Sequence, residues 1–170
     1  PSYLEMKVRL SCYSKSSEEV EIRLGEAEDM VMTSLGEWVY GKDNETLEGK
    51  VRELFLEKNK TLAVAESCTG GLIGHRLTQT PGSSDYFLEG VVAYSNDAKN
   101  SRLEVSPSLI RKYGAVSEEV ALAMADGIRK TSGADIGLSV TGVAGPDASN
   151  NKPVGTVFIA ISDEEKSKCK

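Results

Sequence analysis

The sequence predicts an α/β fold: a three-layer α/β/α sandwich around a mostly parallel or mixed sheet, with a small α+β N-terminal piece. Three observations carry this expectation. Short runs that are apolar almost throughout, such as LAVA at 62–65 and VFIAIS at 157–162, alternate with longer stretches of helical periodicity, and strands covered on both faces read this way. Glycine-rich joints, CTGG at 68–71 and TGVAGP at 141–146, follow two of those runs. The composition of the 170 residues, 39% apolar and 27% charged, is that of a chain able to build a core.

The elements follow in order. MKVRLSCYSK reads as a strand with Val8, Leu10 and Cys12 on one face. SSEEVEIRLGEAEDMVMTSLGEW has Ser16 or Ser17 to cap, Glu18 and Glu19 in the first turn, and apolar residues at Val20, Leu24, Ala27, Val31 and Leu35, which makes an amphipathic helix. The polar stretch at 41–46 marks a boundary, giving domains at 1–43 and 44–170. The second begins with a helix capped by Thr46 and carrying Leu47, Val51, Leu54 and Phe55 on one face. A strand at 62–65, a helix opened by Gly70 and Gly71, and a strand at 88–94 come next. Asn96 and Asp97 can cap a further helix; SPSLIRKYG and SEEVALAMADGIRKTSG are two more, the latter stopped by Gly133. Strands at 136–140 and within PVGTVFIAIS complete the pattern.

Charge and cysteine usage narrow the classes of function. A net charge of -6 argues against bulk nucleic acid or an anionic membrane surface as partner. Cys12, Cys68 and Cys169 are odd in number and lack metal spacing, so a reduced, cytoplasmic protein without metal is expected. No apolar run approaches the roughly 18 residues of a membrane span, and PSYLEMKVRL has no signal-peptide character. The missing initial Met suggests part of a longer chain.

Ligands of such sheets bind at the carboxyl ends of strands. Ser67, Thr69, Gly70 and Gly71 there would offer hydroxyls and backbone N–H groups to an anion, or simply build a tight strand-to-helix turn. Thr141, Gly142 and Gly145 would allow a ligand close to the backbone, or only supply positive φ. TPGSSDYFLEGVVAYSNDAKN sets Ser84, Tyr94 and Lys99 in one stretch, and a serine needs a base. A buried lysine can be that base, though a solvated one is the ordinary case. Cys68 has no obvious histidine partner, since His75, the sole histidine, lies within a helix.

Six blocks in order, AESCTGG, PGSS, YSNDAK, GAVSEE, TGVAGP and KPVGTV, resemble the C-terminal amidase domain of CinA-type (competence/damage-inducible) proteins over about residues 46 to 163. The part before it is similar to the end of the small KH-like domain that precedes the amidase domain in that family. The resemblance implies nicotinamide-nucleotide amidase activity: nicotinamide mononucleotide hydrolysed to nicotinic acid mononucleotide and ammonia, by a Ser-Lys mechanism without metal or cofactor. It implies Ser84 as nucleophile, Lys99 as base and Tyr94 assisting. Ser67, Thr69, Gly70, Gly71, Thr141, Gly142 and Gly145 become substrate contacts, and a homo-oligomer is expected. The family continues into a further strand, a Gly-Asp-Arg segment and a helix beyond the KPVGTV strand, so the domain is expected to be truncated. The alternative is a non-catalytic nucleotide-binding or interaction module of a larger protein.

Overall fold

A computed structural model describes residues 5–148 and 152–170. The chain divides into two compact units, Pro1–Leu47 and Glu48–Lys170. In the first, α1 (Ser17–Leu35) starts where Ser16 accepts a hydrogen bond from the Glu19 amide, with Glu18 and Glu19 in the first turn. A 3-10 turn, Gly36–Trp38, follows. The strand expected around 8–12 does not form: no strand occurs among the described residues of this unit. Val8 is exposed and, among the described residues, no strand pairs with the segment, so alternation alone gives its backbone groups no ladder.

The second unit is built on a five-stranded mixed sheet. It comprises α2 (Leu47–Glu57), β1 (Leu62–Glu66), α3 (Leu72–Thr78), β2 (Phe87–Val92), α4 (Asn96–Leu103), α5 (Pro107–Tyr113), α6 (Glu118–Ser132), β3 (Ile136–Gly142), β4 (Val157–Ser162) and β5 (Ser167–Cys169). The strand order is β2-β1-β3-β4-β5. β1 pairs in parallel with β2 and β3, while β3–β4 and β4–β5 are antiparallel. This is the expected α/β architecture, with helices on both sides of the sheet.

Side-chain alternation along β1 separates the two faces. Ala63 and Ala65 pack with Leu103 and Ile110, and with Val120, Met124 and Ile128 of α6. Leu62 and Val64 face the other way, onto Val51 and Phe55 of α2, Ile73 and Leu77 of α3, and Tyr86. All five residues of β1 are buried, which is why that run reads apolar without alternation. α6 begins at the Ser117 cap and ends at Gly133 in the left-handed region, as its sequence predicts.

The register fixes where ligands can meet the sheet. Glu66 pairs with both Val92 and Val140, so β1, β2 and β3 reach one edge together. The opposite edge is set by Leu62, which pairs with Phe87 and Ile136.

Candidate active site at the carboxyl ends of the parallel strands

Chain order brings Lys99 to this edge. β2 delivers the backbone to Ala93, whose amide donates to the Glu66 carbonyl at 2.8 Å. Ser95 then caps α4 by accepting from the Ala98 amide at 3.0 Å, and Lys99 lies one turn further on. Its side chain is 1% exposed. The Nζ lies 2.9 Å from Ser67 Oγ, 2.8 Å from the Ala93 carbonyl oxygen and 3.2 Å from that of Tyr94. Ser67 is the first residue past β1 and is itself buried; its amide donates to the Val140 carbonyl at 3.0 Å.

The three neighbours fit either protonation state of the amine. Two are carbonyls, which only accept. A neutral amine has two N–H bonds and one lone pair. As the ammonium, Lys99 donates to all three; as the neutral amine, with both N–H groups on the carbonyls, its lone pair would be left to accept from the Ser67 hydroxyl. Burial pushes the Lys99 amine below the usual lysine range; only an ionised Cys68 beside it would oppose this. The shift is toward the neutral form of lysine, the form that can act as a base.

The residues expected to form the dyad are not brought together. Ser84 sits in a 3-10 turn, Ser83–Asp85, that leads into β2 at the opposite edge of the sheet, where Phe87 pairs with Leu62. The next buried residue, Tyr86, packs on the α2 and α3 side, whereas α4 packs with α6 on the other side. Within one chain the sheet lies between the two, and all three hydrogen bonds of Lys99 go elsewhere. Tyr94 is 72% exposed; its main-chain carbonyl, not its phenol, meets Lys99.

The loop from Ser67 to Gly71 is held by Glu66, which is 2% exposed. One carboxylate oxygen accepts from the Gly71 amide at 3.0 Å and the Ile73 amide at 3.1 Å, the other from the Gly74 amide at 2.8 Å. Of the N–H groups that the sequence offered to a bound anion, that of Gly71 is taken by this internal carboxylate, together with those of Ile73 and Gly74. Thr69 Oγ1 is buried without a hydrogen-bond partner. Gly70, at φ 62°, faces open space, so it offers close approach to a ligand.

The second glycine loop is more crowded. Thr141 is buried, and its hydroxyl donates to the Ala115 carbonyl at 2.9 Å. A Cβ on Gly142 would lie 2.9 Å from Cys68 Sγ and 2.9 Å from the Thr156 carbonyl oxygen. Gly145, at φ 89°, is packed against Val154. These residues let chain segments pass one another at the rim of the site.

Comparison with known proteins shows the family. The model of the CinA C-terminal domain matches residues 44–170. This chain belongs to the CinA family. It is 43% identical over 166 residues to a putative competence-damage inducible protein of Desulforudis audaxviator, covering 97% of this chain and 40% of that protein. A protein of the same description from Moorella thermoacetica is 48% identical over 158 residues, 92% of this chain and 38% of the relative. The chain thus spans about two fifths of the length of these curated relatives. Among solved structures, the competence/damage inducible protein CihA from Agrobacterium tumefaciens superimposes with a TM-score of 0.71 at 38% identity, over 78% of this chain and 81% of that one. A CinA superfamily protein from Escherichia coli gives 0.71 at 30% identity, over 78% and 79%.

In this CinA domain the remaining nucleophile candidate is Cys68. Its thiol is pushed up by burial, against the pull of its own and the Thr69 amides and of Lys99. That is the environment of a packed thiol rather than a thiolate. His75 is exposed on α3. Among the described residues no three His, Cys, Asp or Glu side chains converge in a way that could hold a metal ion. No described helix is long and apolar enough to cross a membrane. The place of Ser67 was legible in the sequence, as a serine between a buried strand and a glycine-opened helix; its contact with Lys99 was not.

Proposed function

We propose that this CinA domain is an amidohydrolase that converts nicotinamide mononucleotide to nicotinic acid mononucleotide and ammonia, with Ser67 as nucleophile and Lys99 as base. The observation that carries the reading is the buried lysine amine 2.9 Å from a serine hydroxyl, its other two neighbours being carbonyls. Ser67 Oγ attacks the carboxamide carbon while Lys99 Nζ takes its proton. The amide of Cys68, the residue after the nucleophile, is the oxyanion donor this reading assigns, although it and the Thr69 amide face the Cys68 thiol in the structure. The tetrahedral intermediate collapses as Lys99 returns the proton to the departing nitrogen, and ammonia leaves. Water then attacks the acyl-enzyme, giving its proton to Lys99; Ser67 Oγ leaves and takes that proton back, releasing the acid. Thr69, with its unpartnered hydroxyl, and open Gly70 are the substrate contacts this geometry favours.

The family resemblance assigned the attack to Ser84, and the two serines make opposite forecasts. Ammonia release from nicotinamide mononucleotide is expected from the native chain, with Lys99→Ala and Ser67→Ala abolishing it and Ser84→Ala retaining it. Loss in Ser84→Ala with turnover kept in Ser67→Ala would return the nucleophile to Ser84. No release from a folded native chain would favour a non-catalytic module.

A further inference from the structure

We propose that Glu66 is a positioning residue for the Ser67 nucleophile: its buried carboxylate ties the far end of the catalytic loop to the strand that carries the near end. The proposal rests on the Ser67–Lys99 reading and adds a residue to it.

The geometry is that of a clamp. The main chain of Glu66 and Ser67 is fixed in the sheet, with the Glu66 carbonyl accepting from Ala93 at 2.8 Å and the Ser67 amide donating to Val140 at 3.0 Å. The Glu66 side chain reaches across the loop to the amides of Gly71, Ile73 and Gly74, at 2.8–3.1 Å. One residue therefore holds both ends of the turn that carries Ser67, Cys68 and Thr69. α3 has no other side-chain cap, since its N-cap residue is Gly71 and makes no such bond. An acceptor is normally supplied by the N-cap residue itself; here it comes from the last residue of the preceding strand, five positions upstream.

The consequence is specific to catalysis. The carboxylate lies on the helix side of the loop, while Lys99 approaches Ser67 from α4, across the sheet from α3. Releasing the clamp would leave the lysine on its two carbonyls and let the hydroxyl and the Cys68 and Thr69 amides drift. The chemical step would slow, and substrate binding would change little. The same clamp excludes an anionic substrate group from the α3 amides, because a carboxylate is already there.

The test compares the native chain with Glu66→Gln. The amide keeps the size of the side chain but turns an NH2 group toward backbone donors. Three readouts are taken: thermal unfolding, kcat and KM with nicotinamide mononucleotide well below the melting temperature, and the rate at which a fluorophosphonate labels Ser67, located by peptide mass spectrometry. The expected result is a folded variant with kcat lowered about tenfold or more, KM within about threefold, and labelling slowed in parallel with kcat. If Glu66→Gln fails to fold, Glu66→Asp, which keeps the charge but is one methylene short, carries the same expectation. A folded variant with native kcat and native labelling rate would overturn the proposal, even if its melting temperature fell. So would a rise in KM alone. Absence of labelling at Ser67 in the native chain would instead overturn the Ser67 reading, so the two failures are told apart.

Discussion

At the scale of single residues, the strongest forecast concerns protons. Lys99 works as a base only when neutral, and burial lowers its pKa below the usual lysine range. The rate should therefore rise with pH through a midpoint under that range and then level off. Lys99→Arg should be inactive at every pH tested, because a guanidinium stays charged. A profile in native enzyme that falls as pH rises through this region would remove Lys99 as base. Stability carries the same sign. Between the lowered folded value and the unfolded one, the unfolded chain binds the extra proton, so stability should increase with pH across that window. Chemical denaturation at two pH values inside it would show this. The sequence made Lys99 a candidate but could not show which hydroxyl it meets. The family resemblance pointed to Ser84, fifteen positions away in the same stretch, rather than to Ser67, which is thirty-two away and joined through parallel pairing of β1 with β2. Parallel strands put residues that follow successive strands side by side, and residues that precede one strand at the far edge. Applied to the expected elements, that rule would have separated Ser84 from Lys99.

At the scale of elements, the helices and the core strands were legible because their signals are local. Ser117, Glu118 and Gly133 bracket α6 by cap chemistry, and β1 reads as an uninterrupted apolar run because both its faces are covered. The segment around 8–12 misled because alternation is a necessary sign of a half-buried strand but not a sufficient one. Close packing of α6 was not legible at all. A Cβ placed on Gly127 would lie 2.0 Å from the Leu103 carbonyl oxygen, and one on Gly137 would lie 2.0 Å from the Ala125 carbonyl oxygen. α6 is thus pressed against the end of α4 on one side and against β3 on the other, with glycine at each crossing. Gly127→Ala and Gly137→Ala should each destabilise the domain by at least about 1–3 kcal/mol, the ordinary cost of overpacking, even though alanine is the better helix former at 127. Gly133→Ala tests a different mechanism, since open space surrounds its Cβ position and only the positive φ of 70° resists. It should cost about 1 kcal/mol. Denaturant midpoints that ranked Gly133→Ala as the most damaging of the three would contradict this packing.

At the scale of the whole molecule, the division into Pro1–Leu47 and Glu48–Lys170 makes a forecast about autonomy. Every residue of the three apolar clusters lies between Val51 and Cys169, and the candidate site is built from residues between Glu66 and Gly142. The family model likewise begins at residue 44. α1, by contrast, buries no residue. A helix of 19 residues with no fully buried side chain, its Val20, Leu24, Ala27 and Val31 only half-buried, has little packing to add to its own marginal propensity. The fragment 44–170 should therefore melt cooperatively, within about 5 °C of the full chain, a shift corresponding to no more than roughly 1.5 kcal/mol for a domain of this size. It should keep the Lys99-dependent hydrolysis with unchanged KM. The fragment 1–43 alone should show only partial helicity by circular dichroism, lost gradually on heating. The opposite pattern would be a 44–170 fragment that loses its cooperative melt while 1–43 keeps a helical one. That would mean that the sheet depends on the N-terminal unit for its stability, and the clusters between Val51 and Cys169 would not be a sufficient core.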